Sequence, residues 1–307
     1  MGGVIGAALA RVQWGRGTGL DMCGIPAPDG ADSPPKGPTM LKPLLPLLLL
    51  ATPALAQMDL SSQVPGLAIA PLDDVPNSPM NQGDREACAH KLVGAPTTPA
   101  GEVAHFQGWG VTAEVPIGDL TAVSFVGRFG QGTSGSCELL DGNVGLFRGD
   151  RLLAVIYSED PERLLIGSAR AFGSGLRLWS GDFQPVPLAD VVLTPAGAAV
   201  VPLAASEQVC KGAASVPLIY GLPIDRARQA LAAAGWQPIT GQTNPLSYAA
   251  EIAAAGVPEV EDCSGTGFGY CAYRYTGPAG ELSVTTMGEI AENGALPAVV
   301  GYGVDCR

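Results

Sequence analysis

Six of the seven cysteines, Cys88, Cys137, Cys210, Cys263, Cys271 and Cys306, all beyond residue 57, limit what this chain can fold into more than any other feature. An even set can close into a covalent framework, but only in an oxidising compartment. The stretch Met40 to Gln57, MLKPLLPLLLLATPALAQ, supplies that condition. One positive charge at Lys42 precedes a leucine-rich block, which ends in Ala54-Leu55-Ala56. A basic start, a short apolar core and a small-x-small ending make residues 40–56 a secretory signal peptide, with cleavage expected near Ala56. The expected product is periplasmic or secreted.

The apolar block contains prolines and falls short of the ~20 residues that a spanning helix needs. No later run reaches that length free of charge or proline, so no transmembrane segment is expected. Gln57, not a cysteine, follows the cleavage site, and no lipoprotein anchor is expected. Residues 1–39 are rich in Gly, Ala and Pro and show neither helical nor strand periodicity. They are expected to be a non-native extension, with translation starting at Met40.

Six cysteines allow fifteen connectivities. Keeping each pair inside one predicted domain favours Cys88–Cys137, Cys210–Cys306 and Cys263–Cys271. Beyond Ala56 the chain carries 13 Lys and Arg against 26 Asp and Glu. A surface this acidic repels phosphate backbones, and no basic cluster interrupts it, so nucleic acid is not an expected partner. Adsorption to anionic membranes is disfavoured for the same reason.

Residues 57–84 are proline-rich without a sustained period and are expected to be a surface-hugging or flexible arm. Over 85–205 the pattern is one of short strands: Trp109–Val115, Ala122–Phe129, Val144–Phe147, Leu152–Tyr157, Leu164–Ser168 and Leu176–Trp179. Turn pairs such as Asp141-Gly142 and Gly149-Asp150 separate them, which predicts an antiparallel β sandwich or barrel. Ala189–Glu207 is expected to lead out of that domain. Residues 206–307 then predict a small helix-on-antiparallel-sheet domain, so the chain is mainly β with an α+β C-terminal domain. Its first helix is expected to use Asp225 as N-cap and to bury Ala227, Leu231 and Ala234 before Gly235 stops it. A second helix is expected over Ser247–Ala255, and strands over Phe268–Tyr275, Leu282–Thr286 and Ala298–Val304.

Two resemblances stand out. Val216-Pro217, Gly221, Ala227, Leu231 and Gly235 follow the pattern VP…G…A…L…G, and residues 216–239 resemble the opening of a PASTA repeat. That resemblance implies a small helix-on-sheet module of extracytoplasmic proteins, some of which bind cell-wall fragments. The cysteine pair and glycine-rich loop further on have no place in the pattern. Gly132-Thr-Ser-Gly-Ser-Cys137, with Ala87-Cys-Ala-His90, is superficially similar to the nucleophile and histidine motifs of trypsin-like serine proteases. It implies Ser134 as nucleophile, His90 as base and Asp119 to orient the base. Thr133 stands where an Asp is usual, and 44 positions between His90 and Ser134 are too few for that family's paired barrels.

The most distinctive local stretch is Cys263-Ser-Gly-Thr-Gly-Phe-Gly-Tyr-Cys271. A disulfide across its base would fix the loop ends, and Phe268 and Tyr270, two apart, would share one side of an extended chain. Such rings offer contact area at low entropy cost and are the expected binding residues. Glu259, Glu261 and Asp262, just before the loop, are read as a solvated strand edge. His90 and His105 lack metal-ligand spacing, no nucleotide motif is present, and neither metal nor cofactor is expected. The reading is an exported, non-catalytic, inhibitor-like or binding module for an envelope protein or cell-wall fragment. A secreted hydrolase using Ser134 is the alternative.

Overall fold

A computed structural model of the chain describes residues 58–241, 247–265 and 267–307. The leader and residues 1–39 lie outside these.

The chain opens with β1 (Asp59–Ser62) and β2 (Leu67–Pro71), then helix α1 (Pro99–Phe106). The next strands are β3 (Gly110–Ile117), β4 (Leu120–Val126), β5 (Arg128–Gln131), β6 (Cys137–Leu140), β7 (Asn143–Arg148) and β8 (Arg151–Ser158). They are followed by β9 (Ile166–Phe172), β10 (Gly175–Ser180), β11 (Pro187–Leu193) and β12 (Gly197–Val201). One sheet runs β2-β8-β7-β4-β3, a second runs β1-β12-β11-β10-β9, and β5 and β6 form a separate ribbon. Ala122, Val144, Leu146 and Ile156 of the first sheet pack with Ile166, Leu176, Leu178, Val191 and Val200 of the second. The N-terminal part is therefore a sandwich of two open sheets.

Helix α1 covers the outer face of the first sheet. Thr98 caps it by accepting from Gly101 N, and Pro99 occupies its first position, where a missing N–H costs nothing. Ala100 and Ala104 then sit with Trp109, Phe125, Phe147 and Val155 in a second core. Burial on both faces explains why β4 and β7 read as nearly continuous apolar runs.

The expected arm at 57–84 is a correction. Its residues supply a strand to each sheet: β2 pairs with β8, and β1 lies parallel to β12. The prolines fall at the strand ends and in the link beyond, where no ladder hydrogen bond is lost. Ala189–Glu207 is likewise not an exit segment, because most of it forms β11, β12 and the first strand of the next part. The strand expected over Ala122–Phe129 breaks at Gly127, which packs against Pro79 and Trp109 while the chain leaves β7 to pair with β6.

The C-terminal part starts with the ribbon β13 (Ser206–Val209) and β14 (Ala214–Pro217). Helix α2 (Ile224–Ala233), β15 (Gln237–Pro238), helix α3 (Tyr248–Ala254) and β16 (Val260–Cys263) follow. The chain ends with β17 (Cys271–Gly277), β18 (Gly280–Met287) and β19 (Ala298–Cys306), an antiparallel sheet with β15 and β16 both on the outer edge of β17. Ile224, Ala227, Leu231, Trp236, Tyr273, Tyr275, Leu282 and Val299 share its core. Pro223, not Asp225, caps α2, because Ile224 N donates to Pro297 O and ties the helix start to the approach of β19. Ala234 is exposed, since Gly235 at φ +90° turns the chain and delivers Trp236 to the core instead.

Disulfides join Cys88 to Cys137, Cys210 to Cys306 and Cys263 to Cys271, the pairs favoured from their placement in the sequence. Among the described residues no helix is long and apolar enough to cross a membrane.

Gly197 shows how closely β1 is held, since an added Cβ there would fall 1.8 Å from Asp59 O. Gly197→Val should detach β1 and cost about 1–3 kcal/mol. Hydrogen exchange would then show lost amide protection at 59–62 with β7 and β8 unchanged; retained protection would refute the tight pairing.

Candidate functional site

The two parts meet along a seam built around one buried charge. Arg177, on β10 opposite Asp190 of β11, is 3% exposed. Its Nε donates to Asp190 Oδ1 at 2.7 Å and its Nη2 to Oδ2 at 3.2 Å, a bidentate grip. The third contact crosses to the C-terminal part, where Arg177 Nη1 donates to Glu207 Oε2 at 3.2 Å. Tyr302 OH of β19 donates to the same oxygen at 2.7 Å. Aromatic rings complete the seam: Tyr220 lies 5.0 Å from Tyr302 and 5.5 Å edge-on from Trp179, and Arg170 rests over Trp179.

A second contact along the seam involves the cystine loop. Cys263 and Cys271 face each other on β16 and β17. Above them, Ser264 N donates to Tyr270 O, and Tyr270 N donates to Ser264 Oγ, closing the neck. Gly267 and Gly269 take positive φ, which reverses the chain around Phe268. Phe268 and Tyr270 therefore do not line one side of an extended strand as expected. Their rings meet edge-on at 5.9 Å. Tyr270 OH donates to Gln184 Oε1 at 2.6 Å and fastens the loop to the sandwich.

Gln184 follows Phe183 in the link between β10 and β11. Phe183 is 37% exposed and packs on Gly132, where an added Cβ would come within 2.7 Å of its ring. One short link thus touches both stretches that the sequence singled out, the Gly132–Cys137 turn and the Cys263–Cys271 loop. Sequence reading missed Phe183, Gln184 and the Arg177 cluster. A lone arginine inside the apolar run Gly175–Ser180 was the available signal, since such a charge is buried only with a partner.

The triad does not assemble as the protease resemblance implies. Ser134 stands in the short 3-10 turn Thr133–Gly135, and its side chain lies outside the described set. His90 is exposed on another such turn, linked to it through Cys88–Cys137. Val93 N donates to Val111 O, so His90 belongs to the start of β3, whereas Asp119 follows its end. Eight strand residues at ~3.3 Å each separate those ends by roughly 25 Å. Asp119 cannot orient His90. It pairs with Arg148 at 2.9 Å beside an open cleft of about 1180 Å³, where Arg151 also approaches Asp73.

The acidic group is a further correction. Glu259 is fully buried, accepts from Tyr275 OH at 3.1 Å and pairs with Arg228 at 2.9 Å. Only Glu261, bound by Arg274, and Asp262, accepting from Cys263 N, keep to the strand edge. Among the described residues no three His, Cys, Asp or Glu stand close enough to hold a metal.

Burial, reinforced by Glu207, pushes the Tyr220 hydroxyl up to about 12. Tyr302 is raised by burial and by its bond to Glu207, and Tyr273 reaches about 12 by burial. Below pH ~10 folded and unfolded tyrosines are both protonated and contribute no slope. Above it the unfolded chain releases protons that the folded chain keeps, so stability should fall as pH rises toward 12. Urea midpoints between pH 8 and 11.5 should decline, less steeply in Tyr302→Phe; an equal slope in that variant would remove Tyr302 from the account. Arg177→Ala should cost about 3–5 kcal/mol by stranding Asp190, while Arg177→Leu with Asp190→Leu regains a large part. An inexpensive single substitution in urea unfolding would show the pair to be dispensable. No family model, curated protein or solved structure matches the chain.

Proposed function

We propose that the chain is an exported envelope protein that works by binding, and that it recognises another protein or a cell-wall fragment through the aromatic surface around Phe268, Tyr270 and Phe183. The bond from Tyr270 to Gln184 carries this reading. It fixes a glycine-rich loop, already stapled by Cys263–Cys271, against a second element bearing a half-exposed ring. Rings held this way lose little freedom when a partner arrives, and pre-organisation of that kind favours affinity. The three disulfides fit an oxidising compartment. The strand, helix and turn at 216–239, with their PASTA-like pattern, favour a wall fragment among the two partner classes. A hydrolase using Ser134 is the second reading, supported by the contact of its turn with Phe183.

Oxidised residues 57–307, tagged and mixed with envelope extract, should retain a stoichiometric partner or wall fragment. Phe268→Ala with Tyr270→Ala should reduce retention at least tenfold. Undiminished retention would discard this surface. A serine-directed fluorophosphonate that labels the protein, with the label lost in Ser134→Ala, would overturn the binding reading in favour of hydrolysis.

A further inference from the structure

Two large apolar side chains away from the cystine loop in sequence stand almost entirely in solvent. Phe106, the last residue of α1, is 88% exposed, and Met80 is 103% exposed. Among the described residues the other exposed large apolar side chains are far less uncovered, with Phe183 at 37% and Val192 at 44%.

The backbone beneath this pair is held firmly. Ser78 N donates to Gln107 O, and Gln82 Nε2 and Arg85 Nη1 both donate to Gly108 O. Trp109, fully buried just beyond, donates its indole N–H to Pro76 O. The segment bearing Met80 is thus fastened to the turn that follows Phe106. The backbone at both residues is therefore held in place, and it is the groove beside Phe106 that sets this ring apart from a singly scattered surface residue.

Beside Phe106 runs an open groove of about 670 Å³. Pro99 and Val103 give it an apolar floor, and Glu102, His105 and Asp150 line it, with no Lys or Arg in the lining. Neither Glu102 nor Asp150 has an ion-pair partner among the described residues. Apolar anchors beside two free carboxylates complement a cation next to a large hydrophobic group.

We infer that the Phe106 face is a second docking surface, and that its occupant is an exposed segment of a partner protein with lysine or arginine beside a large apolar side chain. Phe106, with Pro99 and Val103, takes the apolar group, and Glu102 and Asp150 take the cation. The surface is separate from the cystine loop and does not depend on the reading of that loop.

The test uses ¹⁵N-labelled oxidised residues 57–307 and three capped pentapeptides: Leu-Arg-Phe-Arg-Leu, Leu-Glu-Phe-Glu-Leu and Ser-Arg-Ser-Arg-Ser. Only the first should shift the amides of residues 100–107 and 150. Its affinity should fall at least tenfold in Phe106→Ser and about threefold to tenfold in Glu102→Gln with Asp150→Asn. That double variant should also lose most of the salt dependence. These side chains are exposed, so the variants should melt like the parent. The proposal is overturned if the first peptide leaves those amides unmoved, if the acidic peptide moves them equally, or if Phe106→Ser binds unchanged.

Discussion

A guanidinium taken out of water has to be surrounded by acceptors, and this requirement at Arg177 organises the molecule. Asp190 answers two of its N–H groups within one sheet, and Glu207 answers another from outside it. Because Glu207 also holds Tyr302, the sandwich and the last strand of the C-terminal part are joined through one carboxylate oxygen. Ala204 N donates to Asp190 Oδ2, so the connecting chain is tied to the same centre. Desolvation makes such a cluster costly to break and intolerant of partial occupancy, which favours one arrangement of the two parts over a loose tether.

The disulfides act at a different level. Cys88–Cys137 fastens the short turn at 89–91 to the start of β6, within a small satellite core that includes Phe129 and Leu139. Cys210–Cys306 closes the C-terminal part near the Glu207 ribbon, at a turn where Cys210 and Lys211 both hold positive φ. Non-glycine residues adopt that conformation at some cost, and here the crosslink and ribbon impose it. Cys263–Cys271 sets only the base of a loop, and the direction of that loop comes from Gln184, far away in sequence. Covalent bonds fix the local geometry, while polar contacts across the seam fix where it points.

Much of this was legible in the sequence for physical reasons. Short apolar runs separated by Gly/Asp turns marked most sandwich strands to within a few residues, and Asp141 of the Asp141-Gly142 turn takes a positive φ. The apolar face at Ala227 and Leu231 marked α2. What stayed hidden depended on distant partners. The strands β1 and β2 are short, proline-flanked and stable only because β12 and β8 offer open edges. Helix α1 is eight residues long, contains Gly101, and is held largely by the sheet beneath it and by its Thr98 cap. Glu259 read as a surface acid because the sequence does not show Arg228 and Tyr275 closing over it. At the candidate site the aromatic loop was visible, but its anchoring residues Phe183 and Gln184 lie in a link with no pattern of their own.

The parallel pairing of β1 with β12 also bears on the order of folding. A sheet in which the chain's first strand pairs with its twelfth cannot be completed as the chain emerges; β1 has to wait, unpaired, until nearly the whole sandwich has been delivered. Long-range pairing of this kind is slow to form. Until then β12 presents an open edge that another chain could occupy. The vulnerable interval is therefore the last stage of sandwich assembly, and β1 is the strand that ends it.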